Sequence, residues 1–328
     1  MRDYVIGLDL GGTNIRAAAI TPEGKILNRV KIFTEVAQGR ERVVANILKV
    51  IDAIKQGLRD FTLSAVGLGL PGIIFFDKGI VAQSPNLPDW IDFNVRERVK
   101  RGLDIPFYID NDANLAAIGE GWIGAGKDFN SFCMLTLGTG VGGGIILNRD
   151  IWRGDYGMAG ELGHITVYPD GHPCNCGNRG CLEQYASATG IVRMAREEFR
   201  VLGSEFKAKT EIYKIENITA DSLYQLAKKG NKISLELFEK MGRVLGIGIA
   251  DLVNILNVEL FILGGGVADA WDYFIKFTMD EIKKRTYRIT GEGVKVLKAK
   301  LGDDAGIFGA GYMAMGKTGK GIGKGKIV

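Results

Sequence analysis

One pattern occurs twice in this chain and strongly limits its possible folds: an apolar run, a glycine-rich turn and a second apolar run. The first copy spans residues 4–20, with its turn at 11–13, and the second spans residues 132–147, with its turn at 138–144. Short apolar runs bounded by glycine are typical of buried β-strands. Two such strand–turn–strand units predict two related halves, each built on a β-sheet.

Helical and extended patterns surround both units. Apolar residues at three- and four-residue spacing predict a helix over residues 43–54. Further helices are predicted near residues 113–122, 188–201, 222–228, 235–256 and 271–284, and further strands at residues 26–32, 65–70, 107–110, 260–263 and 294–299. The alternation of the two element types predicts an α/β fold.

The chain has 328 residues, enough for two ordinary domains. We expect an N-terminal α/β domain over residues 1–112 and a larger C-terminal α/β domain over 113–303. A helix near 304–316 is expected to pack back on the first domain. Residues 317–328 are rich in glycine and lysine, which predicts a disordered basic tail.

The charge balance argues against nucleic acid as a partner. The formal net charge is +4, and four lysines without any acid fall within residues 317–328, so the remaining body is neutral. The start of the chain lacks the pattern of a signal peptide, and no apolar run reaches the ~18 residues of a membrane span. We therefore expect a cytoplasmic protein without membrane or nucleic-acid partners.

Three of the four cysteines, Cys174, Cys176 and Cys181, fall within eight positions, and His164 precedes them by nine intervening residues. Three thiolates and one imidazole complete a tetrahedral Zn²⁺ site without an open position, which predicts a structural metal over residues 164–181. A disulfide or redox role is less favoured, because neighbouring Cys-x-Cys residues bridge poorly. Cys133 lies in an apolar run and is interpreted as a core residue.

Three glycine-rich turns have the composition of phosphate-binding loops. They contain Asp9, Gly11, Gly12, Thr13 and Asn14 in the first, Gly138, Thr139 and Gly140 in the second, and Gly264, Gly265 and Gly266 in the third. Several backbone N–H groups can approach a phosphate together where glycine replaces bulkier residues. The Asp9 carboxylate can hold hydrated Mg²⁺. Tight hairpins remain the alternative for any one turn taken alone.

Other glycine motifs lack the required context. The dinucleotide-binding pattern occurs at residues 67–72 and 138–143, but strands rather than helices are predicted to follow. Residues 311–318 match the P-loop pattern, yet the tail that follows predicts no helix. Neither a nicotinamide enzyme nor a P-loop enzyme is expected.

Asn111 and Asp112 follow the strand at 107–110 and precede a helix. A carboxylate there can accept a proton from an attacking hydroxyl while the amide orients the substrate. The alternative is an N-cap, a position that both residue types favour.

The turns with Asp9, Gly140 and Gly265 resemble the nucleotide motifs of the sugar kinase, actin and Hsp70 superfamily. The pattern Glu161-x-x-His164, the cysteine cluster and Cys181-Leu-Glu183 resemble the ROK (repressor, open-reading-frame and kinase) family over residues 3–316. The resemblance implies two ribonuclease-H-like domains with a nucleotide between them. It also implies ATP as donor with Mg²⁺, a sugar bound by Gly72, Asn111, Glu161, His164 and Glu183, and Asp112 as general base.

By the same resemblance, the segment containing Asn86 (residues 84–90) is similar to the glucokinase branch, which adds Asn86 as a sugar contact and glucose as the expected substrate. His164 would serve zinc with one ring nitrogen and the sugar with the other. Fructose, mannose, N-acetylmannosamine and N-acetylglucosamine remain alternative substrates, and polyphosphate remains an alternative donor.

Two other functions remain as alternatives. One is a sugar-sensing regulator, although the sequence before residue 7 has no room for the DNA-binding domain of such proteins. The other is an actin-like ATPase. The family resemblance implies a homo-oligomer, either a dimer or a tetramer.

Overall fold

The computed structural model describes residues 2–212 and 214–317. The described residues form two compact units. The first comprises the described residues within 1–131, 144–160 and from 299 onward, and the second comprises those within 132–143 and 161–298. The predicted tail lies outside the described residues from residue 318 onward.

Strands and helices alternate along both units, as expected for an α/β fold. The strands are β1 Arg2–Leu10, β2 Asn14–Ile20, β3 Ile26–Phe33, β4 Phe61–Leu70, β5 Ile73–Phe75, β6 Ile80–Gln83, β7 Phe93–Asn94, β8 Phe107–Asn111, β9 Phe132–Leu137, β10 Val141–Leu147, β11 Asp150–Ile151, β12 Leu260–Gly264 and β13 Lys295–Lys298. The helices are α1 Arg40–Gln56, α2 Val95–Lys100, α3 Asp112–Ile123, α4 Glu183–Ala186, α5 Ala188–Leu202, α6 Ser204–Thr210, α7 Ala220–Lys228, α8 Lys232–Leu256, α9 Trp271–Arg285, α10 Arg288–Gly293 and α11 Ala305–Lys317.

The sheet of the first unit has the strand order β3-β2-β1-β4-β8. β1 and β2 form an antiparallel hairpin, whereas β1, β4 and β8 run parallel. In this register Gly69 of β4 lies opposite Asp9 of β1 on one side and Asp110 of β8 on the other. The carboxyl ends of the three parallel strands, which carry the residues around Asp9 and Asn111, therefore meet at one edge of the sheet.

The C-terminal helix α11 packs against β1, β4 and α3 of the first unit. The approach is so close that a Cβ atom on Gly7 would lie 2.0 Å from the carbonyl oxygen of Ile307. A Cβ on Gly67 would lie 2.1 Å from the carbonyl oxygen of Ala310. Glycine at the centre of β1 and β4 is therefore what admits this helix to the face of the sheet.

Helix α1 covers part of the same core through one apolar face. Its buried residues recur at three- and four-residue spacing and include Val43, Ile47, Val50, Ile51 and Ile54. Each such side chain contributes roughly 1.5–3 kcal/mol when it leaves water. A third, small sheet, β5-β6-β7, lies between β4 and α2 in the sequence and was not predicted in full.

The second unit is built on β9, β12 and β13, which run parallel to one another. β10 follows β9 through the glycine turn and pairs with β11, in a sheet with the order β11-β10-β9-β12-β13. In the division into units, β11 and residues 144–147 of β10 are grouped with the first unit. Helices α8 and α9 pack extensively on each other. Asn231 caps the start of α8, because its side chain accepts a hydrogen bond from the Ser234 N–H, and Asn257 ends that helix in the left-handed conformation.

Two predicted boundaries differ from the structure. Helix α3 and residues 144–160 belong to the first compact unit, whereas the sequence predicted a C-terminal domain that begins at residue 113. Helix α11 extends through Lys317, so the residue predicted to open the tail is helical. Residues 311–317, which resemble a P-loop, lie inside this helix, where backbone N–H groups are used within the helix itself. Within the described ranges, no helix is both long and apolar enough to cross a membrane.

Candidate active site

The turn after β1 holds the first predicted phosphate motif. The Gly11 N–H donates to the carbonyl oxygen of Asn14 over 2.9 Å, which closes the turn between β1 and β2. Gly12 lies beside the side chain of Asn86, since a Cβ on Gly12 would be 3.5 Å from that of Asn86. Two of the predicted binding segments are therefore neighbours in the first unit.

Asp9 forms an ion pair that the sequence analysis did not predict. Arg16 donates to its Oδ2 atom through Nε over 3.1 Å and also through Nη2. Burial raises the pKa of the Asp9 carboxyl, and Arg16 opposes this shift by favouring the charged form. Arg16 also lies 3.2 Å from the exposed Asp303. The hairpin register pairs Asp9 with Arg16 directly, so an explicit alignment of the two predicted strands was the signal available for this contact.

The strand β8 ends at Asn111, and α3 begins at Asp112. The Oδ1 atom of Asn111 accepts hydrogen bonds from Ala113 N (2.9 Å) and Asn114 N (3.2 Å), so Asn111 is the N-cap of α3. Its Nδ2 atom donates to the carbonyl oxygen of Gly72 over 3.2 Å. The structure thereby brings together Gly72 and Asn111, and leaves Asp112 at the first turn of the helix.

The Asp9 and Asp112 segments lie at the same edge of the first sheet. One strand, β4, separates β1 from β8. Because neighbouring strands are about 4.8 Å apart, the ends of β1 and β8 lie about 10 Å from each other. A glycine turn of the kind predicted to bind phosphate therefore lies near a carboxylate in the first unit.

A second residue missed by the sequence analysis is Arg153. It donates to Asp110 Oδ2 through Nε (2.9 Å) and Nη2 (2.7 Å), and both side chains are largely buried. The partners are 43 residues apart in the chain. No local pattern signals such a contact.

In the second unit, the turn with Thr139 and Gly140 is anchored at the start of α5. Ala188 N donates to the carbonyl oxygen of Gly138 over 2.8 Å, and the Thr189 hydroxyl donates to that of Thr139 over 2.7 Å. The turn also adjoins the third glycine motif. A Cβ on Gly265, which has φ 83°, would lie 2.4 Å from the carbonyl oxygen of Leu137.

Glu183 joins the second glycine turn to the predicted sugar-binding residues of this unit. Its Oε2 atom accepts a hydrogen bond from Val141 N over 3.0 Å, and a Cβ on Gly140 would lie 2.3 Å from the same oxygen. Gly163, between Glu161 and His164, packs against the carbonyl oxygen of Val141. Glu161, His164 and Glu183 were predicted to bind a sugar, and Thr139 and Gly140 were predicted to bind ATP.

His164 and the three clustered cysteines form a group whose candidate metal-binding atoms all lie within 4.8 Å of one another. The Sγ of Cys174 is 3.7 Å from Nδ1 of His164, and the Sγ atoms of Cys176 and Cys181 are 3.7 Å apart. In a tetrahedral zinc site with Zn–S bonds of about 2.3 Å, neighbouring sulfurs are separated by about 3.8 Å. The donor set and its spacing therefore fit Zn²⁺.

Two isolated β-bridges hold the chain segments that carry these four residues. Isolated β-bridges join Thr166 to Cys181 and Pro173 to Arg179. The other ring nitrogen of His164, Nε2, lies 4.0 Å from Glu161 Oε2. Cys133 lies in β9, fully buried, where burial raises the pKa of its thiol to about 12.

The predicted site residues thus fall into two groups. The first unit holds Asp9, Gly11, Gly12, Thr13, Asn14, Gly72, Asn86, Asn111 and Asp112, and the second holds Thr139, Gly140, Glu161, His164, Cys174, Cys176, Cys181, Glu183, Gly265 and Gly266. Each group combines residues predicted for ATP with residues predicted for a sugar.

A family model matches residues 5–317, and its description is the ROK family. The chain belongs to the ROK family. This confirms the resemblance inferred from the sequence. Among ROK relatives, a glucokinase of Halalkalibacterium halodurans is 38% identical over 313 residues, which is 94% of each chain.

Solved ROK structures give the same result. A ROK hexokinase from Thermus thermophilus superposes with a TM-score of 0.82 at 31% identity and covers 97% of this chain and 100% of the other. A ROK glucokinase from Streptomyces griseus, solved in complex with glucose and AMPPNP, has a TM-score of 0.77 at 35% identity, covering 95% and 99% of the two chains. The α/β fold is thus that of the ROK sugar kinases.

Proposed function

We propose that this ROK protein is an ATP-dependent hexose kinase whose main substrate is glucose. The observation that carries the proposal is Asp112, a carboxylate in the first turn of α3, at the same sheet edge as Asp9 and its glycine turn. The named function of the glucokinase relatives supports glucose as the acceptor.

In this proposal Asp112 accepts the proton of the glucose 6-hydroxyl as that oxygen attacks the γ-phosphorus of ATP. The new O6–P bond forms while the bond between the γ-phosphorus and the β,γ-bridging oxygen breaks, which releases ADP and leaves glucose 6-phosphate. Asp9 would hold Mg²⁺ when the ion is bound with ATP, and the ion would neutralise phosphate charge. The protein contributes mainly positioning and charge stabilisation, as is usual in phosphoryl transfer.

The binding roles follow from the two groups of residues. We assign the sugar hydroxyls to Gly72, Asn86, Asn111, Glu161, His164 and Glu183. We assign Mg-ATP to Asp9, Gly11, Gly12, Thr13, Asn14, Thr139, Gly140, Gly265 and Gly266. The contact of Glu183 with the strand that follows Gly140 supports a link between the two assignments.

Zinc is assigned a structural role at His164, Cys174, Cys176 and Cys181. When bound, the ion would add a cross-link between the His164 segment and the cysteine segment, which backbone hydrogen bonds such as that from Leu182 N to the carbonyl oxygen of Ile165 already join. Because Nδ1 of His164 is the ring atom near Cys174, Nε2 is left for a hydrogen bond to the sugar. The zinc segment would thereby orient a sugar-binding residue.

The same proposal includes two ribonuclease-H-like domains. The shared strand order of the two main sheets supports it. A cytoplasmic location and a homodimer or homotetramer are further parts of the proposal.

A coupled assay that detects ADP tests this function. Glucose, mannose, fructose, N-acetylmannosamine and N-acetylglucosamine are each offered with Mg-ATP. Glucose is offered again with polyphosphate, and there glucose 6-phosphate is detected instead, because this donor releases no ADP. We expect the highest kcat/KM with glucose and ATP. A higher kcat/KM with another hexose would make that hexose, and not glucose, the main substrate. ADP release that no sugar stimulates would contradict the kinase assignment.

A further inference from the structure

We propose that Arg153 is a positioning residue for the Asn111–Asp112 turn, which it orients through Asp110. This inference rests on the proposed function, because it assumes that Asp112 is the general base. All the contacts that carry it lie within the first unit.

The link between Arg153 and Asp110 is a buried charge pair. Two nitrogens of the guanidinium donate to one carboxylate oxygen, Oδ2, over 2.9 and 2.7 Å. The side chain of Asp110 is 3% exposed and that of Arg153 is 16% exposed. Without Arg153 the carboxylate would be an unpaired charge away from water, a state that proteins avoid by moving the charged group.

The other oxygen of Asp110 holds the start of α3. Its Oδ1 atom accepts hydrogen bonds from Asn111 N over 2.8 Å and from Asn114 Nδ2 over 3.1 Å. These two partners flank Asp112 in the sequence. The orientation of the Asp110 carboxylate therefore sets the peptide before the proposed base and the helical turn after it. Any rotation of that carboxylate moves Asp112 relative to its substrate.

Arg153 is itself fixed by an aromatic ring. Its guanidinium carbon lies 4.5 Å from the ring centroid of Phe76, a stacking geometry that a lysine ammonium does not reproduce. Arg96 of α2 holds the chain at this ring, since it donates to the carbonyl oxygens of Phe76 and, over 2.6 Å, of Asp77. The contacts run without interruption from α2 to the start of α3.

The test compares wild type with Arg153→Ala, Arg153→Lys and Arg153→Ala/Asp110→Asn. We expect kcat for glucose phosphorylation to fall by about 10- to 100-fold in Arg153→Ala, because a displacement of about 1 Å at the reacting groups costs rate of that order. The KM values for glucose and ATP should change by less than about threefold, and Arg153→Lys should retain an intermediate kcat.

The double variant tests whether Arg153 acts through Asp110. With the buried charge removed, Asp110→Asn should add little to the loss in Arg153→Ala, because residues that act as one unit are not additive. Two independent effects would instead multiply, and that outcome would overturn the inference. Arg98→Gln is the matched control, since Arg98 makes a similar forked pair with Glu41 between α2 and α1. It should keep wild-type kcat.

A readout that a purely structural role would not change is chemical rescue. Phe76, Arg96 and Arg153 line a cavity of about 600 Å³, through which a small cation can reach Asp110 once the arginine side chain is shortened. Guanidinium chloride at low millimolar concentration should raise kcat of Arg153→Ala at least threefold and leave Arg98→Gln unchanged, with sodium chloride as the ionic-strength control.

The outcomes separate the two proposals. If wild type phosphorylates no hexose, the proposed function fails. If wild type is active and Arg153→Ala keeps its kcat, or loses activity only in proportion to folded protein without guanidinium rescue, the positioning role of Arg153 is wrong and the function stands.

Discussion

The Oε2 atom of Glu183 accepts a hydrogen bond from Val141 N over 3.0 Å. One carboxylate, assigned to the sugar, thereby lies against the backbone that follows Thr139 and Gly140, which are assigned to ATP. We expect Glu183→Ala to raise the KM for glucose and for ATP together, each by about tenfold, the cost of one charged hydrogen bond. Glu183→Gln still accepts from Val141 N and should affect mainly glucose.

The measurement is initial-rate kinetics with each substrate varied in turn. Glu197→Ala, at an exposed residue that pairs only with Arg193 among the contacts described, provides the control on α5. If Glu183→Ala raised the KM for glucose and not that for ATP, the proposed link between the two binding sites through Glu183 would be wrong.

Asp112→Asn should lower kcat by about 10²- to 10⁴-fold, because the amide cannot accept the proton of the attacking hydroxyl. The fold should persist, since Asn111 and not Asp112 caps α3. Circular dichroism and glucose binding by calorimetry verify the folded state alongside the rate. Retention of wild-type kcat would exclude Asp112 as the base.

Gly265 and Gly266 are adjacent but should respond differently to alanine. Gly265 has φ 83° and no space for a Cβ beside Leu137, so Gly265→Ala should cost at least about 2 kcal/mol of stability. Among the residues that the structure describes, none beyond its chain neighbours lies within 4 Å of where a Cβ on Gly266 would be, so Gly266→Ala should keep the wild-type Tm. If ATP approaches this backbone, the second variant still raises the ATP KM. Thermal unfolding measures the Tm of both variants, and initial rates at varied ATP measure the ATP KM. An unchanged ATP KM in Gly266→Ala would show that Gly266 is not part of the nucleotide site.

Cys176→Ser should lose zinc, lower the Tm and raise the glucose KM through His164. Cys133→Ala should retain zinc, since Cys133 lies buried in β9 and is not a member of the metal-binding group. Metal analysis by mass spectrometry, combined with glucose kinetics, distinguishes these results. Zinc loss with an unchanged glucose KM would show that His164 does not connect the metal to the sugar.

Glu281 provides a pH-dependent test of the packing of α8 and α9. A hydrogen bond from Arg285, with further attraction from Lys284 and Arg243, lowers the pKa of its carboxyl. A lowered folded-state pKa stabilises the protein above the unfolded-state value of about 4.3, and this contribution is lost as the pH falls through the folded-state pKa. Glu281→Gln should therefore cost about 1 kcal/mol at pH 7 and nothing in strong acid.

Urea unfolding at several pH values measures that difference. Glu236→Gln, an exposed partner of Lys232 on α8, should be neutral throughout. A stability loss for Glu281→Gln that is constant across pH would contradict the ionic origin.

Local patterns were enough to predict the strands around both glycine turns, the helices α1, α8 and α9, and the grouping of His164 with the three cysteines. The strands and helices depend on residues close in sequence, and the spacing of His164 and the three cysteines is typical of zinc sites. The ion pair of Arg153 with Asp110 spans 43 residues and depends on how the 144–160 segment joins the first unit, information that periodicity does not contain. The domain boundary was displaced for the same reason, because α3 packs on α11 from the far end of the chain.

The position of α11 has a consequence for synthesis in the cell. β1 is translated before the helix that covers one face of it, which comprises residues 305–317. Until then, Gly7 of β1 and Gly67 of β4 lack the helix that packs against them. The first unit therefore completes its fold only after residues 305–317 have been made, while the second unit, which ends at Lys298, can fold ahead of it.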